Sequence, residues 1–395
     1  MLYLKYLKDF ITITLTFLIL LLLFDNLLFY FPNLFPKNIV NFLSNNAQIR
    51  YQLNNPDNLN IEHDKYIFYF KPNKFINELS ITIDELGYKN PPGYLNSSNM
   101  DIVVLGDSYA ESKDFIDNLK KFLPYSVYSM GVGGQSILHW KYHYLRFKES
   151  DFYKIPPKYV ILNYYSGNDI SDTQRALKYI NAGFINSIYY PTDSYFYEIP
   201  MEELKRKYSF FNEVRVLTIN ILKYYRLRYQ IRNLFNNKFI EEKNQSFENN
   251  DLFDTIRYNK ECNILIGTQA FKENLLFSEE THPEIANQII DTIKLFDQKK
   301  TKIIFNFVPN TITIYADKYG KSSKYIAGHN IQIASSNNFE KFLKKFDVKF
   351  INLVPQLKEV ANKKPLHPCS GDDLHFSKEG NEIYAKLLAE SLMQM

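Results

Sequence analysis

The chain has 395 residues, of which 45% are hydrophobic and 16% aromatic, and its formal net charge is +4. A hydrophobic fraction this large excludes a wholly disordered chain, and the length predicts one large domain with additions or two domains. The positive charge is spread along the chain without a basic stripe interleaved with aromatic residues. We therefore expect no nucleic-acid partner.

The N-terminus carries an apolar run from Phe10 to Phe31. A helix of about 20 apolar residues crosses a hydrocarbon core of about 30 Å, so this run predicts a transmembrane helix. Lys5 and Lys8 precede it, and the positive-inside rule keeps the N-terminus in the cytoplasm and exports the rest. A cleaved signal peptide is the main alternative, but the residues after the run are a poor match to a cleavage site. Residues 1–32 are therefore predicted to form a cytoplasmic tip and a membrane anchor.

Residues 33–98 are rich in Asn, Pro and Tyr and predict a stalk with an ordered lead-in near its end. From residue 99 onward, short apolar runs alternate with helical stretches. Five runs predict strands, namely Ile102–Leu105, Ser126–Met130, Tyr159–Tyr165, Lys302–Val308 and Lys349–Val354. Runs this apolar are typical of buried parallel strands. Residues 99–395 therefore predict an α/β domain, a three-layer α/β/α sandwich with a mainly parallel sheet of about five strands.

The stretch at about 172–300 is far longer than an ordinary connection between elements. Two segments in it predict helices, Val214–Phe235 with a basic face and Glu280–Phe296. We expect a mainly helical insertion that caps or flanks the sheet.

Metal ligands and reactive thiols have little support. Cys262 and Cys369 fit no metal-binding spacing. They could form a disulfide in an exported domain, but two isolated thiols are the favoured interpretation. His139 and His143 stand four residues apart on a predicted helix, where an ordinary helix face is favoured over a metal site. We expect no metal and no organic cofactor.

Ser108 lies in the tripeptide Gly-Asp-Ser directly after the first predicted strand and before a helix. A serine on such a turn is exposed at the carboxyl edge of the sheet, where open α/β folds bind ligands. Its N–H group points towards any anion that forms there. The tripeptide alone is equally explained as an ordinary turn.

Two further motifs follow the next two strands. Gly131–Ser136 contains three glycines within four residues, which serve either a backbone with positive φ or the approach of an N–H group to a substrate oxygen. Ser166–Asp169 contains Asn168, whose amide can donate to an oxyanion or can close the strand in an Asx turn.

The last motif, Asp372–His375, precedes the C-terminal helix. His375 can act as a general base, and Asp372 can fold back to hold its Nδ1–H group, as in a catalytic triad. A capped helix start is the alternative, because Ser377 is a good N-cap.

Together and in this order, the four motifs resemble the signature blocks of the SGNH (GDSL) hydrolase superfamily. The resemblance implies a flavodoxin-like sandwich. It also implies Ser108 as the nucleophile, His375 as the base and Asp372 as the residue that orients the base. It further implies an oxyanion hole formed by the N–H groups of Ser108 and Gly134 and by the side chain of Asn168.

The resemblance covers about residues 101–172 and 300–392, with some departures. Tyr109 stands where a leucine often follows the serine. Asp373 replaces a common glycine, so two neighbouring carboxylates compete to orient the histidine. Asp372 is favoured because its spacing matches the family motif.

The resemblance and the predicted topology imply an exported, membrane-anchored serine esterase. It would act on O-acyl groups, most simply O-acetyl, of cell-envelope or extracellular polysaccharide through an acyl-serine intermediate. Open alternatives are an O-acyltransferase on the same glycans, a lipase or thioesterase, and a non-catalytic glycan-binding or scaffold protein. The expected partners are an acylated glycan or another ester, and the membrane. The catalytic domain is expected on the periplasmic or extracellular side of the cell membrane.

Overall fold

A computed structural model describes residues 61–64, 67–76, 81–97, 99–181, 187–188, 196–197, 253–267, 276–318, 323–371 and 373–395, with short pieces between residues 9 and 23. The chain divides into two compact units. One unit, made of residues 61–198 and 247–395, contains the sheet and the motifs. In the other, made of residues 1–60 and 199–246, the described residues are those short N-terminal pieces.

No helix among the described residues is long and apolar enough to cross a membrane. Most of the predicted span from Phe10 to Phe31 lies outside the described residues, and so does the whole predicted helix Val214–Phe235. The anchor and that helix therefore stay predictions.

A five-stranded sheet forms the centre of the larger unit. Its strands are Ile102–Gly106 (β1), Val127–Ser129 (β2), Tyr159–Tyr165 (β3), Lys302–Val308 (β4) and Lys349–Asn352 (β5). Their spatial order is β5-β4-β3-β1-β2, and every pairing is parallel. This confirms the five predicted strands, and β3 and β4 have the predicted bounds. The chain leaves β1 on one side for β2 and returns on the other side for β3, so β1 ends at the switch point where such sheets bind ligands.

Helices cover both faces of the sheet. They are Ser108–Glu111 (α1), Lys113–Phe122 (α2), Ile137–Glu149 (α3), Asp169–Asn181 (α4), Pro283–Ile293 (α5), Thr311–Ile314 (α6), Ser323–Leu343 (α7), Val354–Lys363 (α8) and Lys378–Met393 (α9). One core lies between the sheet and α3, α5 and α7, and the other between the sheet and α2, α8 and α9. Because both faces are buried, the strands read as continuous apolar runs.

The described part of the 172–300 stretch, which is predicted to be mainly helical, contains both helix and strand. It contains α5, within the predicted helix at 280–296, but also an antiparallel hairpin of Phe253–Asn259 and Cys262–Gly267. In the second strand Cys262, Ile264 and Ile266 are buried, which is the period of two expected for a strand with one covered face.

Candidate active site

The turn between β1 and α1 places Ser108 at the carboxyl edge of the sheet. A Cβ atom on Gly106 would lie 2.7 Å from Ala110 Cβ and 2.9 Å from the Asn163 carbonyl oxygen, so the turn leaves no room for a side chain there. Asp107 caps α1, because its carboxylate accepts a hydrogen bond of 2.9 Å from the Tyr109 N–H. The first residue of α1 is Ser108, which is half-buried.

His375 connects this serine to a carboxylate. Its Nε2 atom lies 2.8 Å from Ser108 Oγ, and its Nδ1 atom lies 2.7 Å from Asp373 Oδ1. The same oxygen of Asp373 accepts a hydrogen bond of 2.9 Å from the His375 backbone N–H. The arrangement has the distances of a nucleophile, a base and a group that orients the base.

The electrostatics of this cluster favour a protonated imidazole. Burial by itself would lower the pKa of His375, but the hydrogen bond and the negative charge of Asp373 outweigh it and raise that pKa above its ordinary value. The hydrogen bond from His375 lowers the pKa of Asp373. Asp373 is therefore ionised at neutral pH and can stabilise the imidazolium ion.

The orienting carboxylate in the structure is that of Asp373, whereas the motif spacing favours Asp372. Asp372 itself lies outside the described residues. The physical reason for the difference is local: an Asp two residues before His375 can accept from both the backbone N–H and the ring of that residue, in the manner of an Asx turn. Motif spacing carries no information about such a turn.

The structure describes two of the predicted oxyanion donors, Gly134 and Asn168. Gly134 has φ +79°, a left-handed conformation that favours glycine. The Asn168 Oδ1 atom is buried and has no hydrogen-bond partner among the described residues. Neither residue lines the pocket at Ser108, so their role in an oxyanion hole stays a prediction. Gly133 lies beside Ser108, since a Cβ atom placed on it would lie 3.6 Å from Ser108 Cβ.

A pocket of about 400 Å³ opens at the nucleophile. It is lined by Ile81, Lys89, Ser108, Tyr109, Glu111, Ser112, Lys113, Asp114, His375, Phe376 and Asn381. One part of the lining is apolar and aromatic and another part is charged. The charged residues Lys89 and Glu111 are absent from the sequence prediction, although Glu111 stands three residues after Ser108 and therefore on the same side of a helix.

Tyr109 contacts the loop that carries the histidine. Its hydroxyl donates a hydrogen bond of 2.7 Å to the Leu374 carbonyl oxygen. Its ring stacks on Tyr165 with a centroid distance of 4.3 Å and lies 4.9 Å from the His375 ring. Tyr109 therefore contacts the segment that carries His375 through both its hydroxyl and its ring.

Two buried carboxyl groups, those of Asp107 next to Ser108 and of Asp169 at the start of α4, interact electrostatically. Burial raises the pKa of Asp107 to about 7, although the Tyr109 N–H and the charge of His375 act in the opposite direction. Burial and the neighbouring charge of Asp107 raise the pKa of Asp169 well above its ordinary value.

Cys262 and Cys369 form a disulfide bond, so the interpretation as two isolated thiols is wrong. The hairpin brings Cys262 next to the segment before His375, and the Asn263 N–H donates a hydrogen bond of 3.1 Å to the Cys369 carbonyl oxygen. These two segments are 107 residues apart in the chain. The disulfide thus attaches the hairpin to the loop that carries Asp373 and His375.

No protein-family model and no curated protein sequence matches this chain. Among solved structures, the chain is similar to a mutant of an acetyl-xylooligosaccharide esterase from Geobacillus, with 10% sequence identity and a TM-score of 0.31. The similarity covers 74% of this chain and 94% of that chain. At this TM-score the two backbones match too poorly for the similarity to support any conclusion about function.

Proposed function

We propose that this protein is a serine esterase of the SGNH type, which cleaves acyl esters through an acyl-serine intermediate at Ser108. The observation that supports this best is the chain of two hydrogen bonds that runs from Asp373 through His375 to Ser108, with lengths of 2.7 and 2.8 Å. A serine hydroxyl is a weak nucleophile unless an adjacent base removes its proton, and this geometry supplies the base and the group that orients it.

In the proposed reaction, His375 Nε2 takes the proton of Ser108 Oγ while that oxygen attacks the ester carbonyl carbon. The negative charge of Asp373 stabilises the imidazolium ion that forms. The tetrahedral intermediate then collapses, His375 returns the proton to the leaving alkoxide oxygen, and the acyl group stays on Ser108. His375 then takes a proton from a water molecule, whose oxygen attacks the carbonyl carbon of the acyl-serine. The second tetrahedral intermediate collapses, His375 returns the proton to Ser108 Oγ, and the carboxylic acid is released. The Ser108 and Gly134 N–H groups and the Asn168 amide are the proposed oxyanion donors, and losing one such donor typically costs roughly 10²–10³ in rate.

The proposed location is the outer side of the cell membrane, with the N-terminal apolar run as the anchor. The disulfide between Cys262 and Cys369 supports an exported domain, because such bonds persist in oxidising compartments. The proposed substrates are O-acyl groups, most simply O-acetyl, on envelope or extracellular polysaccharide. The charged part of the pocket lining supports a polar substrate over a long lipid chain.

The test is labelling of the full-length protein in detergent with a fluorophosphonate probe, followed by measurement of acetate release from an O-acetylated glycan. We expect labelling that disappears in Ser108→Ala and persists in Ser391→Ala, a serine on the distant part of α9 whose hydroxyl bonds the Leu387 carbonyl. Absence of labelling in the folded wild type would contradict an activated serine. Labelling with acetyl transfer to a sugar, but without acetate release, would assign a transferase instead.

A further inference from the structure

The pocket contains an ion pair that the proposed acyl chemistry does not use. The Lys89 ammonium group bonds to one carboxylate oxygen of Glu111, and both side chains line the pocket together with Ser108 and His375. Their side chains are only 17% and 12% exposed, so the pair belongs to the pocket wall and not to the open surface. Lys89 also lies over the Phe70 ring, 5.0 Å from its centroid.

Glu111 links this pair to the reacting atoms. It lies one helical turn after Ser108 on α1, and its second carboxylate oxygen accepts a hydrogen bond from the Gly133 N–H. Gly133 is the residue whose added Cβ atom would lie 3.6 Å from Ser108 Cβ. A substrate whose carbonyl carbon is at Ser108 Oγ therefore occupies the same pocket whose wall contains the ion pair.

The backbone on both sides of Lys89 is held by buried hydrogen bonds. Asp84 is fully buried and accepts hydrogen bonds of 2.8 Å from the Tyr88 N–H and 2.9 Å from the Asn90 amide. Asn90 also exchanges two hydrogen bonds with the Ser129 backbone in β2, of 2.8 and 3.1 Å. This network attaches the lead-in segment to the edge of the sheet and sets where the Lys89 side chain enters the pocket.

The charges in the pocket indicate the kind of ligand. Lys89 and Lys113 contribute two positive charges, and Glu111 and Asp114 contribute two negative ones. The carboxylates would repel an anionic ligand, and the ammonium groups would repel a cationic one. A hydroxyl group, in contrast, can accept a hydrogen bond from an ammonium group and donate one to a carboxylate.

We propose that Lys89 and Glu111 bind hydroxyl groups on the neutral sugar of an O-acylated glycan and thereby determine specificity for esters of polyhydroxylated alcohols. This assignment rests on the proposed esterase function and specifies its substrate. It predicts that loss of the pair lowers the cleavage of sugar esters more than the cleavage of esters without hydroxyl groups.

The experiment compares the full-length wild type and Lys89→Met on two substrates, a mono-O-acetylated neutral methyl glycoside and 4-nitrophenyl acetate. We expect kcat/KM for the glycoside to fall about 10- to 100-fold, mainly through KM, because a hydrogen bond to a charged group is lost. The fall for 4-nitrophenyl acetate should be several-fold smaller, since that ester has no hydroxyl group for the pair to bind. Lys121→Met, which breaks an exposed ion pair with Glu382, is the matched control and should change neither value.

Each other outcome overturns the assignment. An equal fall for both substrates would show a structural role for Lys89, and no fall for either would show that it does not contact the sugar. A fall confined to esters that carry a carboxylate would replace the neutral ligand with an anionic one. Lys89→Gln, which keeps a polar group of similar length, covers the case in which the methionine variant fails to fold. A wild type that cleaves neither ester and takes no fluorophosphonate label would instead refute the esterase function itself.

Discussion

Replacing the orienting carboxylate is the sharpest test of the site. In Asp373→Asn the side chain keeps its size but loses the charge that faces His375 Nδ1 across 2.7 Å. An amide can present its NH₂ group to Nδ1 and so favour the tautomer that cannot take the serine proton. Asp373 is about half-exposed, so water replaces part of the lost stabilisation. We therefore expect kcat to fall by roughly 10²–10⁴.

The same variant should shift the pH profile in a definite direction. The base must be neutral to accept a proton, and the charge of Asp373 raises the pKa of His375, so the wild type loses activity as the pH falls through that raised pKa. Removing the charge lowers the pKa of His375. The acidic limb of kcat/KM against pH should therefore move to lower pH in Asp373→Asn, measured with 4-nitrophenyl acetate.

The matched control is Asp372→Asn, which changes the neighbouring carboxylate favoured by the motif spacing. We expect it to keep activity within about tenfold of the wild type and to leave the acidic limb unchanged. The reverse result, with the large loss and the shifted limb in Asp372→Asn, would refute the assignment of Asp373 as the orienting residue.

Two further predictions concern contacts that hold the loop of His375. Tyr109→Phe removes the hydrogen bond to the Leu374 carbonyl and should lower kcat about tenfold with little change in KM. The control Tyr125→Phe, away from the pocket, should leave kcat unchanged. Equal kinetics for the two variants would contradict the role of Tyr109. Replacing both cysteines by alanine should lower the free energy of unfolding by roughly 2–5 kcal/mol, because the disulfide bond closes a loop across 107 residues. Urea denaturation measures this difference, and unchanged stability would argue against the bond.

Much of the scaffold follows from the amino-acid sequence because its signals are local. The five strands are continuous apolar runs, and the strand pairings confirm them. Ser108 and His375 were chosen as candidates for the same reason, since each lies in a short local motif, and the structure places Ser108 Oγ 2.8 Å from His375 Nε2. The hairpin at 253–267 also has a local period-two pattern, but the polar composition of the surrounding stretch obscures it.

Other features depend on contacts between segments that are far apart in the chain. Lys89 meets Glu111 only because the lead-in segment packs on the edge of β2, and Cys262 meets Cys369 only because the hairpin lies beside the loop of His375. The choice between two adjacent carboxylates depends on the backbone conformation of one turn. The sequence alone therefore determined the strands and singled out Ser108 and His375 as candidates. Only the tertiary structure decided which side chains surround them, because residue spacing does not encode the distance between side chains from separate segments.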